Sequence, residues 1–399
     1  MRIWIKDVTA VTMCERDAIL PHANLVIADN RIAYIGSTAP EGEFDRVIDG
    51  RGKVVMPGLI NTHSHLAMTL LRSYADDMNL QDWLFQKIFP FEDTLTPEMI
   101  REGSEIGVQE MLQSGTTCFC DMYFFEAETA NVAEAYGIRA VLCEGITDNV
   151  LDVKLEKTEA LLQRTADSPL IRIGISPHAV YTCSQETIRK CVDFAAEHDL
   201  MLHTHLSETE TENTDCQRDY GMSPTQYMDV CGLLTPRTVA AHGVWLSDAD
   251  MQCLRARGVT IAHNPTSNLK LASGVAAIPE LKRRGIAVSL GTDGASSNNN
   301  LDMFEEMKLA GILHKGVTRD PTVLPAWEIL EMATVCGARA LGYSDLGMLR
   351  QGYLADLILL DFNAPHLKPN HNTIANLVYA AHGSDVCLTM VDGRIVYER

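Results

Sequence analysis

The sequence predicts an α/β protein. A closed (β/α)8 barrel of the TIM type occupies residues 56–349, and a small composite β-sandwich is built from both chain ends, 1–55 and 350–399. Three observations carry this. Eight short apolar segments alternate with helical patterns through the middle of the chain. Both ends are β in pattern, and neither alone is large enough to bury two faces. No glycine-rich phosphate fingerprint follows any apolar segment, which sets aside a doubly wound open sheet.

From the amino terminus, Arg2 to Val11 alternates as a strand, Leu25 to Ile35 folds about a turn at Asp29-Asn30, and a third run ends at Asp49-Gly50. The barrel strands expected next are Val54 to Asn61, Thr116 to Met122, Arg139 to Gly145, Ile171 to Ser176, Leu200 to His205, Thr238 to Ala241, Thr260 to His263 and Ala287 to Gly291. Pro97 to Gln113 is predicted helical, with apolar positions at Met99, Ile100, Ile106, Val108, Met111 and Leu112 ahead of Gly115; Ser184 to His198 is another helix. Asn79 to Asp93 holds Trp83, Phe85, Phe89 and Phe91, aromatic surface suited to a lid over the barrel mouth. Met251, Met303 and Met307 are expected in the core. Ala355 to Asp361 and a hairpin, Leu388 to Val391 and Arg394 to Tyr397 about Asp392-Gly393, complete the terminal β piece.

Composition narrows the function. Hydrophobic residues are 46% and charged residues 22%, so a folded core is expected throughout. A net charge of -20 repels phosphate backbones and anionic lipid, which argues against nucleic-acid and membrane partners. The eleven cysteines are scattered without a CxxC pair, and Cys118 and Cys120 alternate as buried thiols, pointing to a reducing cytoplasm. The charged amino-terminal stretch Met1 to Asp7 does not resemble a signal peptide, and no apolar run reaches membrane-spanning length.

Histidines and acids cluster where the strands end: Thr62-His63-Ser64-His65, Ser176-Pro177-His178, His203 to Glu208, Ala241-His242-Gly243 and Gly291-Thr292-Asp293-Gly294. Chemistry in such a barrel sits at the carboxyl ends of the strands. Residues two apart on a strand share a face, so His63 and His65 can point at one ion, with further ligands drawn from His205 and Asp293. His203 competes with His205 and is assigned a supporting or structural place. Glu208, three beyond His205, is placed to act on a substrate, whereas Glu210 and Glu212 are expected to be solvated. Asp293 either caps the next segment or accepts a proton from an activated water. His242, with an ordinary pKa near ~6.5, either assists that transfer or is a satisfied core histidine. On pattern alone, His178, Glu92 and Trp83 read as packing or surface positions, and His263 shapes a rim loop or touches substrate.

With these residues in place, the chain resembles the amidohydrolase superfamily, in the branch of aminohydrolases and triazine chlorohydrolases. The resemblance runs nearly end to end: Met56 to His65, Asp82-Trp83-Leu84, His205 to Glu208, Ala241-His242-Gly243, His263-Asn264-Pro265, and Gly291 to Ala295 followed by Asn298-Asn299. Within the branch it is most similar to 5'-methylthioadenosine/S-adenosylhomocysteine deaminases, whose lid carries a Trp and, nine residues on, a Glu, here Trp83 and Glu92. The resemblance implies one divalent ion on His63, His65, His205 and Asp293, usually zinc, with iron or manganese as alternatives. It implies Glu208, His242 and Asp293 as proton carriers, and Trp83, Glu92, His178 and Glu208 as contacts for a small nucleoside. The product would be an inosine-type nucleoside plus ammonia, and the enzyme a homo-oligomer. Relatives supply basic residues after the third strand for a homocysteine tail; Cys143-Glu144-Gly145 stands there, an acid that disfavours a carboxylate. The competing readings are a guanine-type free-base deaminase or triazine chlorohydrolase on the same metal site, and a catalytically silent barrel acting as an assembly partner.

Overall fold

The computed structural model describes residues 1–399. The chain opens with β1 (Arg2–Val11), β2 (Ile19–Ala28), β3 (Arg31–Gly36), β4 (Arg46–Asp49) and β5 (Lys53–Pro57). The barrel strands follow: β6 (Leu59–Ser64), β7 (Thr116–Tyr123), β8 (Arg139–Ile146), β9 (Ile171–Pro177), β10 (Met201–Leu206), β11 (Thr238–His242), β12 (Thr260–His263) and β13 (Ala287–Leu290). Three more strands, β14 (Leu357–Asp361), β15 (Val386–Val391) and β16 (Arg394–Glu398), return to the first sheet.

Strands β6 to β13 pair in parallel and in sequence. The residues of β6, β7, β8, β10, β11 and β12 are all buried, as expected of parallel strands covered by helices. The ring closes between β13 and β6 largely through side chains. Thr62 Oγ1 donates to the Leu290 carbonyl at 2.8 Å, Asn61 Oδ1 accepts from Thr292 N at 3.0 Å, and Asp293 N donates to the His63 carbonyl at 3.0 Å. Gly291 permits this approach, since a Cβ there would lie 2.9 Å from the His63 backbone nitrogen.

The expected single strand Val54 to Asn61 is two strands. β5 belongs to the terminal sheet, β6 to the barrel, and Gly58 separates them. A Cβ at Gly58 would sit 2.1 Å from Thr117 Oγ1, so the chain passes β7 too closely for any side chain.

The terminal strands form one continuous mixed sheet in the order β16-β15-β14-β5-β1-β2-β3, with β4 beside β1. Its two faces divide by alternation. Val55, Leu357, Leu359, Leu388 and Met390 pack with Ile3, Ile5, Leu25 and Ile27, whereas Val54, Met56, Ile358 and Leu360 join the main barrel core. Within the last fifty residues, the helix Thr373–Tyr379 buries Ile374, Leu377 and Val378 in that barrel core, beside the helices Met303–Thr318 and Ala326–Ala333.

Helix Pro97–Gln113 begins as predicted, with Thr96 capping Met99 N and Pro97 in the first turn, but Ile106 faces solvent. The lid is helical from Leu80 to Glu92, with a wide turn over Leu84–Ile88. Pro90 explains the turn: it has no N–H for an ordinary helical bond, and Phe89 N reaches back five residues to Leu84 O.

At the amino-terminal end of β8, away from the lid, Arg139 is buried and donates to both carboxylate oxygens of Asp356 at 2.9 and 3.0 Å and to the Pro169 carbonyl at 2.7 Å. This pair ties the barrel to the terminal sheet. Asp356→Ala leaves the buried guanidinium with only the Asp392 carboxylate, 3.3 Å away, and removes the acceptor of Asp392 N, and is expected to cost about 3–5 kcal/mol in urea unfolding. Replacing both partners with apolar residues, Arg139→Met with Asp356→Leu, is expected to recover most of that loss; a double variant as unstable as the single one would refute the assignment.

Candidate metal centre and active site

The two HxH segments lie on β6 and β10, and alternation sends His63, His65, His203 and His205 toward the barrel axis. Their register pairs them in two layers. At the rim, His65 Nε2 and His205 Nε2 lie 3.3 Å apart. One layer below, His63 Nδ1 lies 3.1 Å from His203 Nε2. Asp293, just past β13, brings Oδ1 to 3.2 Å from His65 Nε2 and 3.4 Å from His63 Nε2.

Tautomers follow from the partners. His65 Nδ1 faces the Met122 carbonyl at 2.5 Å and His205 Nδ1 the His178 carbonyl at 3.0 Å. A carbonyl only accepts, so both rings carry a proton on Nδ1 and turn their Nε2 atoms toward each other. His63 Nε2 is buried with no hydrogen-bond partner. Three ring nitrogens and a carboxylate therefore converge, and despite burial the Asp293 carboxylate raises the His65 ring to about 9, so the cluster favours a positive charge at this point, which a cation can supply. Donors bound at ~2.0–2.2 Å to one divalent ion stand roughly 3–3.6 Å apart, and the observed spacings of 3.2, 3.3 and 3.4 Å fit. His203 has no free nitrogen to offer, since its Nδ1 meets Cys120 Sγ at 3.5 Å.

Asp293 and His242 both adopt left-handed backbone, with φ of 63° and 75°. Such strain costs on the order of 1–3 kcal/mol per residue and persists where surroundings enforce it. Here they do. Asp293 Oδ1 accepts from Gly294 N at 2.8 Å and Oδ2 from Ser267 Oγ at 2.6 Å. His242 Nδ1 meets Asn268 Oδ1 at 2.8 Å, which places a proton there, and its Nε2 stands 3.8 Å from Glu208 Oε2. Burial pushes the Glu208 carboxyl above its ordinary range, against the pull of His242.

These groups floor a cavity of about 740 Å³, counted to its open mouth. Trp83, Leu84, Ile88 and Phe89 of the lid, Tyr123, Phe124, Tyr181 and Leu271 form apolar wall, while His65, Glu92, His178, His205, Glu208, His242 and Asp293 supply polar groups. Trp83 is buried with an unpartnered Nε1, and the buried Tyr123 hydroxyl is likewise free. Glu92 lies beside that hydroxyl, and burial pushes its carboxyl up to about 7. His178 bonds Thr182 Oγ1 through Nδ1 at 2.9 Å, and its ring centroid lies 4.7 Å from that of His205 with the planes tilted by 60°. Every predicted site residue except His63 thus lines the cavity, and His63 stands directly beneath it.

Three expectations change. Glu212 is buried, not solvated, and its carboxylate accepts Ser207 N at 2.9 Å and Glu208 N at 2.7 Å, so it shapes the turn that carries Glu208. Glu144 does not line the cavity: it accepts Glu126 N at 3.0 Å and pairs with Lys154, ten residues on. His263 bonds His314 Nε2 at 3.1 Å, and the motif it opens reaches the site through Ser267 and Asn268 instead. The HNP motif signalled the segment, but which of its side chains turn inward depends on the short helix Pro265–Lys270.

An eight-stranded barrel with imidazoles and one carboxylate gathered at its carboxyl rim has the make-up of a metal-assisted hydrolase, its donors being of the kind that can hold a divalent ion. The chain belongs to the amidohydrolase family, whose model matches residues 54–396. It is 46% identical over 380 residues to a 5'-deoxyadenosine deaminase of Methanothermobacter thermautotrophicus, covering 94% of this chain and 88% of that one. It is 47% identical over 384 residues to a 5-methylthioadenosine/S-adenosylhomocysteine deaminase of Syntrophobacter fumaroxidans, with the same coverage. The crystal structure of a zinc-bound adenosine deaminase from Xanthomonas campestris superimposes with a TM-score of 0.96 at 34% identity, covering 99% of this chain and 93% of the other.

An ion held by this cluster stabilises the folded state by mass action, by about 2.7 kcal/mol at a hundredfold excess over Kd. Chelation is therefore expected to lower Tm and added zinc to restore it, with His205→Ala abolishing the response. A Tm indifferent to both treatments would remove the site.

Proposed function

We propose that the protein is a divalent-metal-dependent deaminase of 5'-modified adenosines, with His63, His65, His205 and Asp293 holding one ion, zinc by preference. The observation that carries this reading is the convergence of three ring nitrogens beside a carboxylate at the floor of a cavity that also holds Glu92 and Glu208. The relatives named above support the substrate class. When bound, the ion lowers the pKa of water from ~15.7 toward ~7.

The chain's own groups account for the protons. Glu208, whose carboxyl burial pushes toward its protonated form, delivers a proton to adenine N1. Asp293, with His242 Nε2 beside it, takes a proton from the attacking water as its oxygen bonds to C6. Asp293 then passes that proton to the departing amino group, the C6–N bond breaks, and ammonia leaves. The second water proton returns to Glu208 as the C6 carbonyl forms, so water plus adenosine balances inosine plus ammonia. Glu92 would accept from the ribose hydroxyls, Trp83 would cover the 5' position, and His178 would line the sugar and base pocket.

The cavity wall carries no Lys or Arg, and the Glu144 charge is already matched by Lys154. A homocysteine tail would find no cationic partner for its carboxylate, whereas a methyl or methylthio group meets the apolar lid. The favoured substrates are therefore 5'-deoxyadenosine and 5'-methylthioadenosine.

Ammonia release and the change in adenine absorbance test this. The small 5' substituents are expected to exceed S-adenosylhomocysteine in kcat/KM by about tenfold or more, a difference of ~1.4 kcal/mol. Glu208→Gln should lower kcat by about 10²–10⁴, and Glu92→Ala should damage nucleoside turnover while sparing a free base. Turnover of guanine or a triazine in preference to every adenosine tried would overturn the reading.

A further inference from the structure

The deeper histidine pair has a requirement that the rim pair lacks. For His63 Nε2 to offer a lone pair toward Asp293 and the proposed ion, the ring proton must sit on Nδ1. His65 and His205 secure that tautomer with backbone carbonyls, which accept unconditionally. His63 has no such carbonyl: its Nδ1 meets the ring nitrogen Nε2 of His203 at 3.1 Å. An imidazole nitrogen accepts only when its own proton is on the other side. His203 must therefore carry its proton on Nδ1, and that atom faces Cys120 Sγ at 3.5 Å. His63, His203 and Cys120 are all fully buried, so water cannot substitute for any of them.

We propose that His203, backed by Cys120, is the positioning arm of the metal centre: it fixes His63 in the tautomer and ring orientation that aim Nε2 at the ion. The inference rests on the metal-ligand reading above, yet it concerns residues that touch neither ion nor substrate. Partners of this kind typically alter metal affinity by 10–100-fold. The direction of the chain is fixed throughout, with His63 donating to His203 and His203 donating to the Cys120 sulfur. The cysteine serves as an acceptor, and a hydroxyl in its place can do the same.

The test measures zinc affinity on the metal-stripped full chain by competition with a chromogenic chelator, alongside the visible spectrum of the cobalt-substituted protein. His203→Leu fills the space without an acceptor and is expected to weaken zinc binding about 10–100-fold and to perturb the cobalt bands. His203→Gln, with an amide oxygen to accept from His63, should recover most of that loss, and Cys120→Ser should stay close to the parent while Cys120→Ala does not. Equal losses in the Leu and Gln variants would assign His203 to packing alone, and unchanged affinity in the Leu variant would overturn the proposal. Should the Leu variant fail to fold, nitrogen-15 shifts of the zinc-loaded parent decide: a proton on His203 Nε2 sinks the idea. His205→Ala separates the two readings. If it abolishes zinc binding while His203→Leu leaves the affinity at the parent value, the ligand assignment stands and the positioning arm falls.

Discussion

Two imidazole nitrogens 3.3 Å apart, beside a carboxylate and a third unpartnered ring nitrogen, stay together only with a positive charge among them, whether a proton or a metal ion. The rest of the molecule holds that unfavourable convergence in place. The Met122 and His178 carbonyls orient two rings, Ser267 and Gly294 N restrain the carboxylate, and the backbone of Asp293 is bent into a left-handed conformation to reach it. The supports come from segments at or beyond the ends of four different strands, β7, β9, β12 and β13, so the barrel is what makes the arrangement rigid. A loop-borne cluster could relax by moving apart; one fixed by eight buried strands cannot.

The two ends of the barrel carry different burdens. At the carboxyl rim the chain accepts strain and unpartnered polar atoms, among them His63 Nε2, Trp83 Nε1 and the Tyr123 hydroxyl. At the opposite end Arg139 is saturated by Asp356 and the Pro169 carbonyl, and the terminal sheet packs against the core. That division is the usual one for a barrel whose chemistry varies at one face and whose stability resides at the other.

Much of this was legible in the sequence. Seven of the eight apolar runs marked their barrel strands to within a residue or two, because parallel strands buried on both sides leave uninterrupted apolar segments. The HxH pairs, His242 and Asp293 were visible because they end such runs. The break at Gly58 was not, since only the close passage of Thr117 reveals it. Glu212 looked solvated because its sequence neighbours Glu210 and Thr211 are polar, while its carboxylate turns back to the amides of Ser207 and Glu208. Glu144 looked like an unmatched acid in the pocket because Lys154 comes from the next helix, Leu151–Thr165, whose orientation no local pattern encodes. The assignment of His205 over His203 depends on which nitrogens are already occupied, a property of register between strands rather than of either strand.

The terminal sheet has a consequence for how the molecule comes into being. Strand β5 pairs with β1 on one side, but its other neighbour is β14, which sets Leu357 against Pro57. A chain emerging from the ribosome therefore exposes that edge of β5 while the whole barrel is being synthesised, and an open strand edge invites pairing with other chains. The acid that completes the candidate metal cluster, Asp293, also arrives late, long after His63 and His65. Enclosure of the sheet and completion of the site are thus both deferred to the last part of translation, and a chain arrested before β14 would present an apolar, unpaired edge rather than a smaller folded protein.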